Sequence, residues 1–180
     1  MRPLRPRTWQ GAIIAGMFTL GMAGSASAAT SGITTATITV QGGSLSITVP
    51  TNAGNLGTII NSVNGGTITG SLGQVQVLDA RSAAAGSGWV ATVIASAFTP
   101  PAGPAIAASL VSYSAGTIVQ TGTATYTANN PGNLTGVVAA VTATGITGDN
   151  SATWSPMITV TVAGGMAAGV YSATITHSVA

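Results

Sequence analysis

Cysteine, glutamate and lysine are all absent from this 180-residue sequence. Without cysteine, the chain can form neither a disulfide framework nor a thiolate metal site. Acid–base chemistry could use only Asp79, Asp149 and the single histidine, His177. No G-x-S-x-G sequence accompanies them, and one histidine cannot build a zinc site of three or four protein ligands. We therefore expect a protein that is not an enzyme and that needs no metal or cofactor.

Charged residues are few, and half of them lie within the first seven positions of the sequence. Three of the four arginines precede an apolar stretch at 11–23, and Ala26-Ser27-Ala28 follows as an A-x-A cleavage pattern. We expect residues 1–29 to be a secretory signal helix that is cleaved. The alternative is a retained membrane anchor, but the apolar stretch is short and glycine-rich for a span of about 20 residues.

The remaining segment, 30–180, holds one arginine against two aspartates, which gives a formal charge of −1. Nucleic-acid binding needs a basic stripe that neutralises phosphates, and none is present. Past the signal, no apolar run is long enough to cross a membrane. These properties exclude a nucleic-acid partner and predict no membrane span after cleavage.

Alternation of Thr or Ser with Val, Ile or Ala recurs throughout 30–180 and is typical of half-buried strands. Residues 105–113 fit either a strand or a short helix, and the β-rich context favours the strand. Turn residues between many short strands indicate an all-β, antiparallel β-sandwich, Ig-like or related, in a single domain at 30–180. We predict strands at 34–40, 44–49, 58–60, 67–69, 74–80, 89–98, 122–128, 136–144, 157–162 and 170–179.

Two hairpins and one flexible connection are expected between these strands. Segment 34–40 should pair with 44–49 through a glycine turn, and 157–162 should pair with 170–179 through a seven-residue loop. The small residues at 82–88 predict a flexible connection.

The few charged residues are the first candidates for a site. Asp79 and Arg81 lie two apart on one strand face, so they are either a structural ion pair or a polar point on a ligand surface. Asp149 lies in TGDNSAT, where an Asx-type turn is favoured over a calcium loop because further carboxylates are missing.

Aromatic residues and the histidine form the second group of candidates. Trp89 and Tyr171 each begin a predicted strand, and each is either a core anchor or an exposed ring that stacks on a sugar. His177 is expected to line one end of the core or to be exposed where the last strand emerges.

Three segments occur in an order similar to the WxL-domain family of Gram-positive cell-surface proteins: GSLSITVP (43–50), VQVLDARSAAAGSGWVATVIASAF (75–98) and WSPMITVTVAGGMAAGVYSATITHSV (154–179). The chain departs from the family at both Trp-x-Leu signatures. Ala91 replaces the first leucine, while His177 and Val179 replace the second tryptophan and leucine. The residues that match the family pattern are Val77, Asp79, Arg81, Gly88, Trp89, Ala168, Gly169, Tyr171, Ala173 and Ile175.

This resemblance implies a secreted protein at the cell wall of a Gram-positive bacterium, attached non-covalently to peptidoglycan or another wall polymer. Other surface proteins or further copies of itself are additional candidate partners. The alternative function is a self-associating structural subunit of a surface layer or fibre. The candidate ligand-contacting residues are Trp89, Asp79, Arg81, Tyr171 and His177.

Overall fold

A computed structural model describes residues 34–180. The signal peptide expected at 1–29 lies outside these residues. Within them every regular element is a β-strand, apart from one 3-10 turn at Ala108–Leu110, and all strand pairs are antiparallel. The predicted all-β fold class is therefore confirmed. Among residues 34–180, no helix is long and apolar enough to cross a membrane.

Eight strands form two sheets. The larger sheet has the order β1-β3-β6-β5, with β8 also paired to β3, and the smaller sheet has the order β2-β7-β4. The strands are β1 (Leu45–Thr48), β2 (Gly66–Ser71), β3 (Val75–Ala95), β4 (Val111–Ser114), β5 (Val119–Ala128), β6 (Val138–Trp154), β7 (Met157–Val162) and β8 (Ile175–Val179).

One long antiparallel ribbon connects the two sheets. In it β2 and β3 run against β7 and β6, from the Gly66–Val162 pair to the Val93–Val138 pair. Between the sheets the pairing continues through a hydrogen bond from Leu72 N to Pro156 O at 2.9 Å. Register shifts interrupt the β3–β6 pairing between Asp79 and Thr92. Such bulges bend strands, and here they let distant parts of the ribbon pack on one another.

The core lies between these layers and draws on both sheets. Val75, Val77 and Trp154 come from the larger sheet, while Val111 and Ile158 come from the smaller one. Each strand contributes alternate residues because successive side chains point to opposite faces. Two antiparallel sheets that share one apolar core constitute the β-sandwich that the alternation predicts.

The predicted N-terminal hairpin is wrong. Residues 34–40 form no strand and are exposed, and β1 pairs instead with the 76–79 stretch of β3. Residues 58–60 also form no strand. Because alternation fixes which face a residue occupies but not which strand lies beside it, the nearest strand in sequence is not always the partner.

The predicted C-terminal hairpin is wrong for the same reason. β7 pairs with β2 and β4, whereas β8 pairs with the 91–95 stretch of β3. The expected flexible connection at 82–88 is part of β3, where the bulges hide the alternation. Residues 105–113 divide between the 3-10 turn and β4.

Candidate functional site

The Asp79–Arg81 ion pair lies where β3 enters its bulged stretch. Arg81 Nε is 2.8 Å from Asp79 Oδ1 and Arg81 Nη2 is 2.9 Å from Asp79 Oδ2, which is a bidentate contact. Arg81 Nη2 also donates to Gly88 O at 3.3 Å, across the bulge. The side chain of Asp79 is 0% exposed, so the predicted structural ion pair is confirmed.

Asn150 connects this ion pair to two aromatic residues. Its Nδ2 donates to Asp79 Oδ2 at 3.3 Å, and its Oδ1 accepts from Trp89 Nε1 at 3.0 Å and from Tyr126 OH at 3.2 Å. We call Asp79, Arg81, Trp89, Tyr126 and Asn150 the polar network. No buried side-chain nitrogen or oxygen of residues 34–180 is left without a partner, so the network is fully satisfied.

The protonation of Asp79 follows from these contacts. The hydrogen bond from Arg81 lowers the pKa of the Asp79 carboxyl below its ordinary 3.8, against the opposing effect of burial, and the bond from Asn150 lowers it further. Asp79 therefore carries a charge at neutral pH that Arg81 neutralises. A buried, fully bonded carboxylate of this kind supports the fold and has no free lone pair directed at a ligand.

Trp89 belongs to the core. It is 2% exposed, and its ring packs against that of Tyr126 with centroids 5.8 Å apart. The alternative of an exposed ring that stacks on a sugar is wrong for this residue, because neither face of the indole reaches solvent.

Asp149 lies within β6 and not in a local turn, so the predicted Asx-type turn is wrong. Its Oδ1 accepts from Ser82 N at 2.9 Å and from Ser82 Oγ at 3.3 Å. These bonds hold Ser82 at a φ of 53°, a left-handed conformation that is unfavourable for serine. Residues 34–180 contain no group of three His, Cys, Asp or Glu side chains that could bind a metal.

His177 forms the end of a second chain of hydrogen bonds. Trp154 Nε1 donates to Tyr113 OH at 2.8 Å, and Tyr113 OH lies 3.2 Å from His177 Nε2. The phenol oxygen accepts from the indole, and the direction of its hydrogen bond with His177 Nε2 is set by the tautomer of the imidazole. Burial lowers the pKa of His177 to about 4 and raises the pKa of Tyr113 to about 12.

A cleft of about 940 Å³ opens beside His177. One part of the lining is the irregular segment 49–61, and another comes from 166–175 and His177. Buried apolar side chains from both sheets, including Val75 of β3 and Val160 of β7, also line it. We call this the 49–61/166–177 cleft.

The polar side chains of the cleft are amides, hydroxyls and the imidazole of His177. Asn52 Oδ1 accepts from Gly54 N and Asn55 Oδ1 accepts from Gly57 N, which leaves both Nδ2 groups without a partner among residues 34–180. Tyr171 OH donates to Ala167 O at 2.9 Å, so the tyrosine ring is held in the 166–177 part of the lining. Among the described residues that line the cleft, none is Asp, Glu, Lys or Arg.

Comparison of the chain with protein-family models, with curated proteins and with solved structures gave no match. The similarity to the WxL-domain family therefore rests on the three sequence segments alone. A functional assignment depends on where those segments place their residues in this fold.

The five candidate residues separate into two places. Asp79, Arg81 and Trp89 meet in the polar network, and none of them lines the cleft. Tyr171 and His177 both line the cleft. Three of the five candidate residues are therefore bonded within the polar network inside the fold, and the other two line the cleft.

Sequence reasoning missed Asn150, Tyr126, Tyr113 and Trp154, which complete both hydrogen-bond systems. Asn150 carried one usable signal, since it follows Asp149 in a chain with very few charged side chains. Tyr113 and Trp154 carried none, because alternation alone does not show which buried polar atoms meet.

Proposed function

We propose that this protein is a secreted cell-surface protein that attaches non-covalently to peptidoglycan or another wall polymer, at the cell wall of a Gram-positive bacterium. The observation that carries the proposal is the uncharged 49–61/166–177 cleft, with Tyr171 in its wall. The WxL-like segments supply the expectation of wall attachment, and the last of them contributes one wall of the cleft.

The chemistry of the cleft suits a neutral polymer. Its volume, about 940 Å³, lies within the roughly 300–1,000 Å³ range of small-ligand sites. The Nδ2 groups of Asn52 and Asn55 are donors for sugar hydroxyls or peptide carbonyls. Tyr171 offers an aromatic surface on which an apolar sugar face can rest. Recognition would depend on shape and hydrogen bonding, because the lining has no fixed charge.

The two groups of candidate residues take different roles in this proposal. Tyr171 contacts the polymer, and His177 lines the cleft with its Nε2 bonded to Tyr113. Asp79, Arg81 and Trp89 act as positioning residues, because they bind one another and Asn150 inside the fold. Loss of wall binding on their substitution would therefore accompany loss of stability.

Co-sedimentation with purified peptidoglycan sacculi tests the proposal. Wild type should pellet with sacculi and saturate, and should stay in the supernatant when sacculi are omitted. Tyr171→Ala should weaken binding by about tenfold, which corresponds to about 1.4 kcal/mol. Tyr171→Phe keeps the ring and should retain most of the affinity.

A variant outside the cleft provides the matched control. Thr123→Ala changes an exposed residue of β5 that does not line the cleft, and it should bind as wild type does. If folded wild type stays in the supernatant with sacculi, or if Tyr171→Ala binds as well as Thr123→Ala, the proposed attachment through this cleft is wrong.

A further inference from the structure

Strand β8 has one paired side and one free side. It pairs with β3 alone, and at its end Val90 N donates to Ala180 O at 2.8 Å while Ala180 N donates to Val90 O at 3.2 Å. Because bonded pairs alternate along antiparallel strands, Ile175 and His177 lie at unbonded positions and direct their N–H and C=O groups away from β3. We call the backbone groups of Ile175 and His177 the free edge of β8.

This free edge borders the 49–61/166–177 cleft. Ile175 and His177 both line it, and the backbone bonds outside the strand pairs include none from either residue to any part of the chain that the structure describes. Segment 49–61, another part of the lining, likewise makes no backbone–backbone bond within residues 34–180. A chain that entered the cleft would therefore meet unused backbone donors and acceptors.

The other outer strands of the described sheets do not have this position. No residue of β1, β4 or β5 lines the cleft, and β2 contributes only Ile68. Leu72 N donates to Pro156 O next to the β2–β7 pairs, so by the same alternation the backbone of Ile68 is bonded to Val160 of β7. Among the outer strands, β8 alone presents free backbone groups at the cleft.

The chemistry of this place fits an extended peptide. Ile175 and His177 repeat an N–H and C=O pair at an interval of about 6.8 Å, and an extended peptide repeats its own groups at the same interval. The apolar lining, which includes Val75 and Val160, would receive side chains from one face of the peptide. Since no Asp, Glu, Lys or Arg is among the described residues of the lining, a charge carried into the cleft would have no partner. These features favour a peptide with uncharged side chains.

We propose that the 49–61/166–177 cleft takes an extended, uncharged peptide of the wall polymer as an added strand on β8. Backbone bonds to the free edge give affinity, and side chains on the apolar lining give specificity, as in other cases of strand addition. This role of the cleft rests on the proposed attachment to the wall, and it assigns the contact to the peptide part of the polymer. The ring of Tyr171 would then pack against the peptide.

Competition between the two parts of the polymer tests this assignment. Sacculi are digested with an amidase that separates peptides from glycan strands, and each purified fraction is added to the protein before co-sedimentation with intact sacculi. The peptide fraction should displace the protein at a concentration at least about tenfold lower than the glycan fraction. If glycan strands displace it equally well, or if neither fraction does, the peptide assignment is wrong. If the protein does not pellet with intact sacculi at all, the wall attachment is wrong and the peptide assignment falls with it.

Proline at the free edge tests the backbone contact. Ile175→Pro removes one N–H of that edge, whereas Ile175→Ala shortens the side chain and keeps the N–H. Folded Ile175→Pro should bind sacculi about tenfold more weakly than Ile175→Ala, the upper end expected for one hydrogen bond. Equal binding by these two variants overturns the proposal.

Thr67→Pro is the matched control for an edge proline. The alternation along β2 directs Thr67 N–H away from β7, and Thr67 does not line the cleft, so this variant should bind as wild type does. Circular dichroism should show all three variants folded. If Ile175→Pro does not fold, the competition between peptide and glycan fractions decides alone.

Discussion

Asn150 stands directly opposite Asp79 in the β3–β6 pairing, and its Nδ2 bonds the Asp79 carboxylate at 3.3 Å. The Oδ1 of the same amide receives Trp89, which lies beyond the bulges of β3 and is paired with Ala143. One side chain therefore bonds residues of β3 that lie before and after its bulged stretch. The polar network thereby stabilises the bend that the bulges introduce.

Replacement of Asn150 by alanine should destabilise the protein strongly. The change leaves Trp89 Nε1 without its acceptor inside the core and removes one donor from the Asp79 carboxylate. We expect a loss of about 2–4 kcal/mol in the free energy of unfolding, measured by urea denaturation. Asn129→Ala removes an exposed amide that donates to Thr142, and it should change stability by less than about 0.5 kcal/mol. Equal effects of the two substitutions would show that the polar network does not hold the bend.

Replacement of Arg81 by leucine should destabilise the protein, because it leaves the buried carboxylate of Asp79 without its positively charged partner. Arg81 is 39% exposed, so water can reach part of the site, and we expect a loss of about 2–3 kcal/mol at pH 7, less than for a fully buried pair. The pKa of Asp79 is lowered in the folded state, so its contribution is present above about pH 3.8 and is lost as the pH falls through the folded value. The difference between wild type and Arg81→Leu should therefore shrink below pH 3.8.

A conservative substitution separates charge from geometry at this site. Arg81→Lys keeps the positive charge but cannot make the two parallel bonds of the guanidinium, so its stability should lie between those of wild type and Arg81→Leu. If denaturation shows Arg81→Lys as stable as wild type, the bidentate geometry contributes nothing measurable.

Composition and alternation were sufficient to predict the all-β class and several strands. The segments predicted as separate strands at 74–80 and 89–98 both fall largely within β3, and the strand predicted at 157–162 is β7. The Asp79–Arg81 pair was predictable because charged residues are so rare that two on one face should meet.

Strand pairing was not predictable in the same way. Segments 34–40, 44–49 and 170–179 have nearly the same Thr, Val and Ile pattern, so each would fit beside many strands. The actual partners depend on the core volume and on the bends in β3. Those bends occur at 80–88, where Ala, Ser and Gly alternate weakly. The cleft was not predictable either, because its walls, 49–61 and 166–174, are irregular segments without periodicity.

Gly88 lies close against the backbone of β6, and alanine there should be destabilising. A Cβ at Gly88 would lie 2.7 Å from Ala143 O, which is backbone and cannot move aside without breaking the β3–β6 pairing. We expect Gly88→Ala to cost about 1–3 kcal/mol of stability, measured as a lower urea midpoint. Gly132→Ala is the control, since a Cβ there meets no atom within 4 Å and φ is not positive. If Gly88→Ala and Gly132→Ala have the same urea midpoint, the bulge accommodates the added Cβ without loss of stability.

Acidification should destabilise the fold through His177. Burial lowers its pKa in the folded state to about 4, from the 6.5 expected in the unfolded chain. Between these values the unfolded state binds more protons, so stability should fall as the pH is lowered from 6.5 to 4, by at most about 3 kcal/mol. His177→Gln keeps a side-chain acceptor for Tyr113 but does not titrate, so its unfolding free energy should be flat across this window. Folded Asp79 stays ionised across this window because its pKa is lowered. If urea denaturation gives the same pH slope for His177→Gln and wild type, His177 is not held neutral by the core, and its bond to Tyr113 does not depend on that neutrality.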